Sequence, residues 1–407
     1  MKILMIAPEP FFEPRGTPFS EYFRIKALAD LGHEIDLITY PIGEDKEIKG
    51  LRIFRCFKPP FVKSVKTGPS LAKIFLDFFL FFKALGRLLR GKYDFIHTHE
   101  EANIMGAFFS KIKGIPHLYD MHSSLVQQMN NFQFTKSKII VSFFRLIERI
   151  SLENSRSTIV ICKALYDYAA QITASEKLTI IENFIDETPE ALDAAKLSRI
   201  KEEIGSEKKK IIMYTGTLET YQGIPLLIET MKHLDVDFRL VLIGGKKEQV
   251  EEVEKRVKEE NLDGRVLVLG RREPGDIPYY LGAAKVLVSP RVLGTNIPLK
   301  IYSYLKSGIP VVATNLYTHT QSVNEEIAVL VDPEAEPFAA GIEAAASSKG
   351  EEISKKARAF CDKNYSYERY LELVREAVEK ASPCARGGDE RLRRKGQRVE
   401  GDGAPSL

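Results

Sequence analysis

A basic side chain beside a turn of small residues can hold a phosphate, and one stretch of this sequence has that make-up. A strand-like run ends at Ser289-Pro290-Arg291, the loop Val292-Leu293-Gly294-Thr295 follows, and a helix is expected to open around 296–298. Exposed N–H groups at that helix end, with Lys300 one turn in and Arg291 nearby, would cradle a diphosphate. The plainer reading is one more strand–helix turn with solvated basic residues. Two further turns share the pattern: Tyr214-Thr215-Gly216-Thr217-Leu218-Glu219-Thr220-Tyr221-Gln222-Gly223, and Ile243-Gly244-Gly245. Near the start, Pro14-Arg15-Gly16-Thr17-Pro18 leads from a first strand into a helix. Thr17 is expected to cap that helix with Pro18 at its first position, and Gly16 to let a ligand approach the backbone. An ordinary turn would look the same.

Histidines mark two other strand ends, His97-Thr98-His99-Glu100-Glu101 and Tyr119-Asp120-Met121-His122. His97 and His99 on an extended strand are expected to point to opposite faces, a poor bidentate metal site, so no metal is expected. For His122, a neutral imidazole that donates to a substrate hydroxyl stands beside a packed structural role.

These residues need elements to hold them. Short Val- and Ile-rich runs at 2–7, 34–39, 95–98, 157–161, 178–181, 210–214, 239–243, 265–269, 286–289 and 310–313 alternate with helical patterns, among them 19–31, 225–233 and 248–260. Runs that are apolar on both faces suit parallel strands covered by helices, and the alternation predicts doubly wound α/β sheets. It happens twice. The polar stretch after Asp186 separates an N-terminal Rossmann-like domain, 1–185, from a second one, 186–365. A helix is expected over 366–381. The segment 382–407 holds almost no large apolar residue and is expected to be a disordered tail.

With 407 residues the chain exceeds one ordinary core. A net charge of +3 gives no argument for nucleic acid. The four cysteines, at 56, 162, 361 and 384, have no short spacing, which speaks against a zinc ribbon or a disulfide framework and for a reducing compartment. No signal peptide is read at the start, and no run approaches the roughly 18 apolar residues that span a bilayer. The expected location is cytoplasmic. Charge is uneven, however: residues 51–150 hold 16 Lys/Arg against 6 Asp/Glu. In that basic sector lies an aromatic helical pattern, 71–90, preceded by Lys58, Lys63 and Lys66. It reads either as core or as a peripheral anchor of 58–90 on the anionic inner face of the cell membrane.

Taken in order, the glycine loop after strand one, H-x-H, T-G-T-L-E-x-Y-Q-G, I-G-G and P-L-K-I-Y-S-Y-L-K-S-G-I-P-V-V-A-T-N resemble the family-4 glycosyltransferases over about residues 1–380. The resemblance implies a GT-B fold, two Rossmann-like domains facing each other across a cleft. It also implies an acceptor in the first domain, a nucleotide-sugar donor in the second, retaining transfer without a metal, and a last helix that returns to the first domain. Carried over, Gly16 is the flexible loop near the diphosphate and His122 the histidine near the transferred sugar. Residues 294–297 (Gly294, Thr295, Asn296, Ile297) hold sugar and diphosphate, and Arg271 clasps the nucleobase. Gly216, Thr217, Gln222, Gly245, Leu299 and Ser303 complete the expected donor contacts.

The departures are as informative. The family's usual Arg and Lys beside the diphosphate fall on Thr217 and Gln222. The second glutamate of its Glu-x7-Glu motif falls on Ser303, and Thr295 stands eight residues earlier. Charge must then come from elsewhere, and Lys300 and Arg291, with His122, are the expected catalytic groups. The expected function is transfer of a sugar from a nucleotide sugar to a glycan or lipid-linked acceptor of the cell envelope. Two other readings stand beside it. One is an inverting transferase or sugar-nucleotide epimerase with Glu100, Asp120 or Glu219 as base. The other is a non-catalytic binding module.

Overall fold

The computed structural model describes the chain except for residues 14–15, 61, 63–64, 66–70, 125, 127–136, 183–191, 295–296 and 383–407. The expected tail and the expected domain junction therefore lie outside the described residues, apart from Ser382 and Leu192 onward. The chain divides into two compact units, Met1–Asn183 with Tyr370–Leu407, and Phe184–Arg369.

In the first unit seven parallel strands lie in the order β3-β2-β1-β4-β5-β6-β7. They are β1 (Lys2–Ala7), β2 (Glu34–Thr39), β3 (Leu51–Arg55), β4 (Phe95–His99), β5 (His117–Met121), β6 (Ser157–Val160) and β7 (Leu178–Ile180). The helices between them are α1 (Gly16–Asp30), α2 (Leu71–Arg90), α3 (Asn103–Lys113), α4 (Lys138–Asn154) and α5 (Lys163–Ala170). Direction decides the layers. β1 to β2 steps one way across the sheet, while β3 to β4, β4 to β5 and β5 to β6 all step the other way. Right-handed crossovers then place α2, α3 and α4 on one face and α1 on the other. The α2 side is sealed by Leu76, Leu80, Ala84 and Leu88 against Leu4, Ile6, Ile38 and Ile96.

The second unit repeats the plan with six parallel strands in the order β10-β9-β8-β11-β12-β13. They are β8 (Lys210–Thr215), β9 (Phe238–Ile243), β10 (Val266–Gly270), β11 (Val286–Ser289), β12 (Val311–Thr314) and β13 (Val329–Val331). Its helices are α6 (Ala194–Ile204), α7 (Ile224–Thr230), α8 (Lys247–Glu259), α9 (Ile277–Gly282), α10 (Lys300–Lys306), α11 (Tyr317–Thr320), α12 (Ala335–Ala345) and α13 (Ser348–Asn364). The core gathers Leu240, Leu242, Val286, Val288 and Val312 of the sheet with Leu227, Ile228 and Phe338 of the helices. A last helix, α14 (Tyr367–Ala381), packs on the first unit. There the Tyr370 ring lies 5.2 Å from the Arg24 guanidinium, and Lys380 donates to the Leu178 carbonyl at 3.0 Å.

Two helix starts differ from the sequence reading. α1 opens at Gly16, so Thr17 sits inside its first turn and is not its cap. α10 opens at Lys300, making that lysine the first helical residue instead of one turn in. In both places a proline, Pro18 or Pro298, suggested the boundary, and proline tolerates several first-turn positions because none of those N–H groups has a partner in the helix.

Candidate functional site

The candidate residues fall into two sets, one in each unit. In the second unit strand order reverses between β8 and β11, so the turns leaving these neighbours diverge at the carboxyl edge of the sheet, where open α/β sheets take ligands. The β8 turn is drawn in tightly. Gly216 has φ +139° and donates to the Ile243 carbonyl at 2.9 Å, and a Cβ on Gly244 would collide with the Gly216 carbonyl. Val292 N–H from the β11 turn donates to the Tyr221 carbonyl at 3.0 Å, tying the two turns together. Tyr304, one helical turn beyond Lys300, accepts the Thr215 N–H at 2.7 Å.

Lys300 reaches into this corner. Its Nζ lies 3.6 Å from the Tyr214 ring centroid and 3.2 Å from where a Gly216 Cβ would stand. The Nζ is buried and has no hydrogen-bond partner among the described residues. Burial, with the nearby Arg291 charge, holds its pKa well below the usual lysine range. Taking an ammonium out of water without a partner costs several kcal/mol, and a desolvated cation–π contact offsets only about 2 kcal/mol of that. An anion delivered to this corner would restore the charged form of a lysine already stripped of water.

Arg291 is half-buried. Its guanidinium lies 5.2 Å from the Tyr221 ring centroid, and its Nε donates to the Leu293 carbonyl at 2.8 Å. Burial lowers its pKa as well. Gly294, at φ +112°, leaves room for this guanidinium, which a Cβ would strike. Thr295 and Asn296 lie outside the described residues. Ile297 is buried and Leu299 precedes α10. Ser303 turns its hydroxyl back to the Lys300 carbonyl at 2.9 Å. Thr217 is exposed, and its carbonyl accepts the Tyr214 hydroxyl at 2.6 Å. Gln222 is buried with Oε1 unpartnered among the described residues. Gly245 and Arg271 line one open hollow of about 480 Å3 with Lys246, Lys247, Val250 and Gly270.

The first unit gathers its candidates around Asp120. Register places His99 beside Asp120 on neighbouring strands. Arg24 of α1 donates from Nε to Asp120 Oδ2 at 2.7 Å, and His122 Nε2 lies 3.2 Å from Oδ1. His97 Nε2 and His99 Nδ1 stand 3.5 and 4.0 Å from Oδ2. The expectation of opposite faces for His97 and His99 is wrong: residues two apart on a strand share a face, and the rings stack with centroids 4.8 Å apart. With Asp120 their ligand atoms all lie within 4.8 Å of one another. Spacing therefore does not argue against a metal here. Arg24 does, because its positive charge already occupies the carboxylate oxygen nearest both imidazoles. Burial raises the Asp120 pKa, but Arg24 and His122 overcome it and hold the carboxyl well below its usual range.

The sequence reading missed the charges on the inner side of α1. Glu21 and Arg24 are almost fully buried, and the buried Glu9 carboxyl feels the charge of Glu21. Burial pushes Glu21 to about 8 and raises Glu9 as well. Charged residues at helical spacing within the apolar stripe of 19–31 were the available signal. Glu100, also buried, is pushed to about 8 and accepts from Ser123 Oγ at 2.9 Å. Glu219 is half-buried at the start of the Thr220–Gln222 turn of the second unit.

Residues 198–366 match the family described as Glycosyl transferases group 1, and residues 24–188 match Glycosyltransferase Family 4. No curated protein matches the chain. Among solved structures, HepE of Anabaena in complex with UDP superposes with TM-score 0.74 at 18% identity, covering 93% of this chain and 100% of that one. Sucrose-phosphate synthase from Thermosynechococcus elongatus gives 0.70 at 19% identity, covering 93% and 98%. WaaG, a glycosyltransferase involved in lipopolysaccharide biosynthesis, gives 0.67 at 13% identity, covering 93% and 100%. Likeness at such identities shows the fold: two parallel-sheet α/β domains of the GT-B kind.

Proposed function

From the premise that this chain is a glycosyltransferase, with a family 4 segment followed by a group 1 segment, we propose that it transfers a hexose from a nucleoside-diphosphate sugar to a glycan or lipid-linked acceptor, with retention and without a metal. The work would be done in the cytoplasm, on cell-envelope polysaccharide or glycolipid.

The observation that carries this reading is the buried Lys300 Nζ, which has no hydrogen-bond partner among the described residues. As the bond between the sugar C1 and the β-phosphate oxygen breaks, its electron pair moves onto that oxygen. A pre-placed cation needs no reorganisation to meet the new charge. Lys300 and Arg291 would take the role that the uncharged Thr217 and Gln222 cannot. The acceptor hydroxyl bonds to C1 on the face the diphosphate leaves and passes its proton to the departing oxygen. Gly245 and Arg271, across their shared hollow, would hold the nucleoside end.

Two of the three candidate bases, Glu100 and Asp120, favour retention over inversion, while the half-buried Glu219 decides neither way. An inverting enzyme needs an unoccupied base near neutral pH. Glu100 keeps its proton to about pH 8, and Asp120 is ionised but held by Arg24 and His122.

Thermal shift tests the donor site. UDP, GDP or ADP, or the corresponding sugar nucleotides, should raise the Tm of the native protein, while the matching nucleosides should do much less. Lys300→Met should abolish the difference. An equal response to nucleoside and nucleoside diphosphate would overturn the assignment. Release of free nucleoside diphosphate only when acceptor is present distinguishes transfer from donor interconversion.

A further inference from the structure

α2, α3 and α4 lie together on one face of the first sheet, and each carries large apolar side chains on its outer side. Inward, α2 buries Leu76, Leu80, Ala84 and Leu88. Outward, Phe75, Phe78 and Phe82 are 55, 59 and 54% exposed. Ile104, Phe108 and Ile112 stand exposed on α3, and Ile139, Phe143 and Leu146 on α4. Ring contacts join the outer sides: Phe78 to Phe82 at 4.9 Å along α2, and Phe81 of α2 to Phe108 of α3 at 6.0 Å. Most of the large apolar side chains exposed among the described residues fall on these three helices. A contiguous apolar face of this kind marks an interaction surface.

The charges on the same helices say what covers it. Lys83 and Arg90 are exposed on α2, Lys111 and Lys113 on α3, Arg145 and Arg149 on α4. No exposed position of α2 or α3 is acidic, since Asp77 is drawn inward to the Tyr40 hydroxyl at 2.6 Å. On α4 the exposed Glu153 is already paired with Arg149. A second copy of this chain would set cations against cations. An anionic bilayer would take the rings among its acyl chains near the headgroups and offer phosphates to the cations. No helix of the described residues is long and apolar enough to cross a membrane, so the face would lie on the bilayer and not through it.

We propose that the α2–α3–α4 face docks on the surface of an anionic lipid bilayer. This extends the expected contact from 58–90 to three helices, and it goes beyond the donor chemistry above. The segment before α2 is not needed for it.

Vesicle flotation without any nucleotide tests it, so that its failure leaves the transfer reading untouched. The full chain should float with phosphatidylcholine vesicles containing about 30% phosphatidylglycerol and remain below with phosphatidylcholine alone. High salt should weaken the binding. The triple variant Phe75→Ser, Phe78→Ser, Phe82→Ser should lose binding tenfold or more, and so should Lys111→Glu with Lys113→Glu, which leaves every ring in place. Absence of flotation with anionic vesicles would overturn the proposal, as would unchanged binding by the charge-reversed variant. So would a lipid-free dimer in sedimentation that the triple variant dissolves, because the face would then belong to a second copy.

Discussion

Arg24 Nε donates to Asp120 Oδ2 at 2.7 Å, and both side chains are almost fully buried. Ninety-six positions apart in sequence, they form the charged centre of the first unit, with three histidines around the carboxylate. Breaking such a pair from one side strands a charge. Arg24→Met should cost about 3–5 kcal/mol in urea unfolding. Adding Asp120→Asn to it should recover much of that loss, since the stranded charge goes with it. The depressed Asp120 pKa means its contribution is present above the unfolded value near 4 and is lost as pH falls through the lower folded value. In Arg24→Met that acid-labile contribution is gone, so the stability gap between variant and wild type in urea unfolding should narrow as pH falls below about 4.

Glu21 works in the opposite sense. Its folded pKa, about 8, lies above the ordinary 4.5, so the folded state keeps a proton that the unfolded chain releases. Stability should fall as pH rises from about 4.5 to about 8. Glu21→Gln removes that dependence. The variant should match the wild type near pH 4 and exceed it at pH 8 by several degrees in Tm, at about 2–4 °C per kcal/mol for a domain of this size. Parallel Tm profiles across that range would contradict the raised Glu21 pKa.

Lys300 separates stability from function. Lys300→Met removes a buried unpartnered donor, which relieves about 1–3 kcal/mol of desolvation, so the ligand-free Tm should rise. Turnover should fall by about a hundredfold or more if the ammonium meets the charge of the departing diphosphate. Tm and nucleoside diphosphate release, measured on one preparation, check both halves, and unchanged turnover would remove Lys300 from the mechanism.

Gly244 sets the β8 turn. At φ +116° and against the Gly216 carbonyl, it has no room for a side chain. Gly244→Ala should destabilise by about 1–3 kcal/mol and weaken nucleotide binding, because the turn that shapes the Lys300 corner must move. Denaturation midpoints and nucleotide-induced Tm shifts measure the two effects.

Much of this architecture was legible in one dimension. The Val- and Ile-rich runs marked ten of the thirteen described strands to within two residues, because a strand buried on both faces leaves a continuous apolar run, and β5 showed only through its end at 119–122. β3 was missed: Leu51-Arg52-Ile53-Phe54-Arg55 lies at the sheet edge, where Arg52 and Arg55 face carboxylates at Asp36 and Asp45. β13 (Val329-Leu330-Val331) was missed as well, although the equally short β7 was marked. The turns with Gly216, Gly244–Gly245 and Gly294 were visible as sequence, since glycine at positive φ leaves its own mark. What sequence could not give was who meets whom. Arg24 with Asp120, Lys300 over Tyr214, and the alignment of α2, α3 and α4 all follow from strand order. Strand order is decided by the summed packing of whole layers and not by any local residue preference. Segment 71–90 shows the limit most clearly: its residues permit either core or surface, and only the neighbours it packs against made it core on one side and exposed on the other.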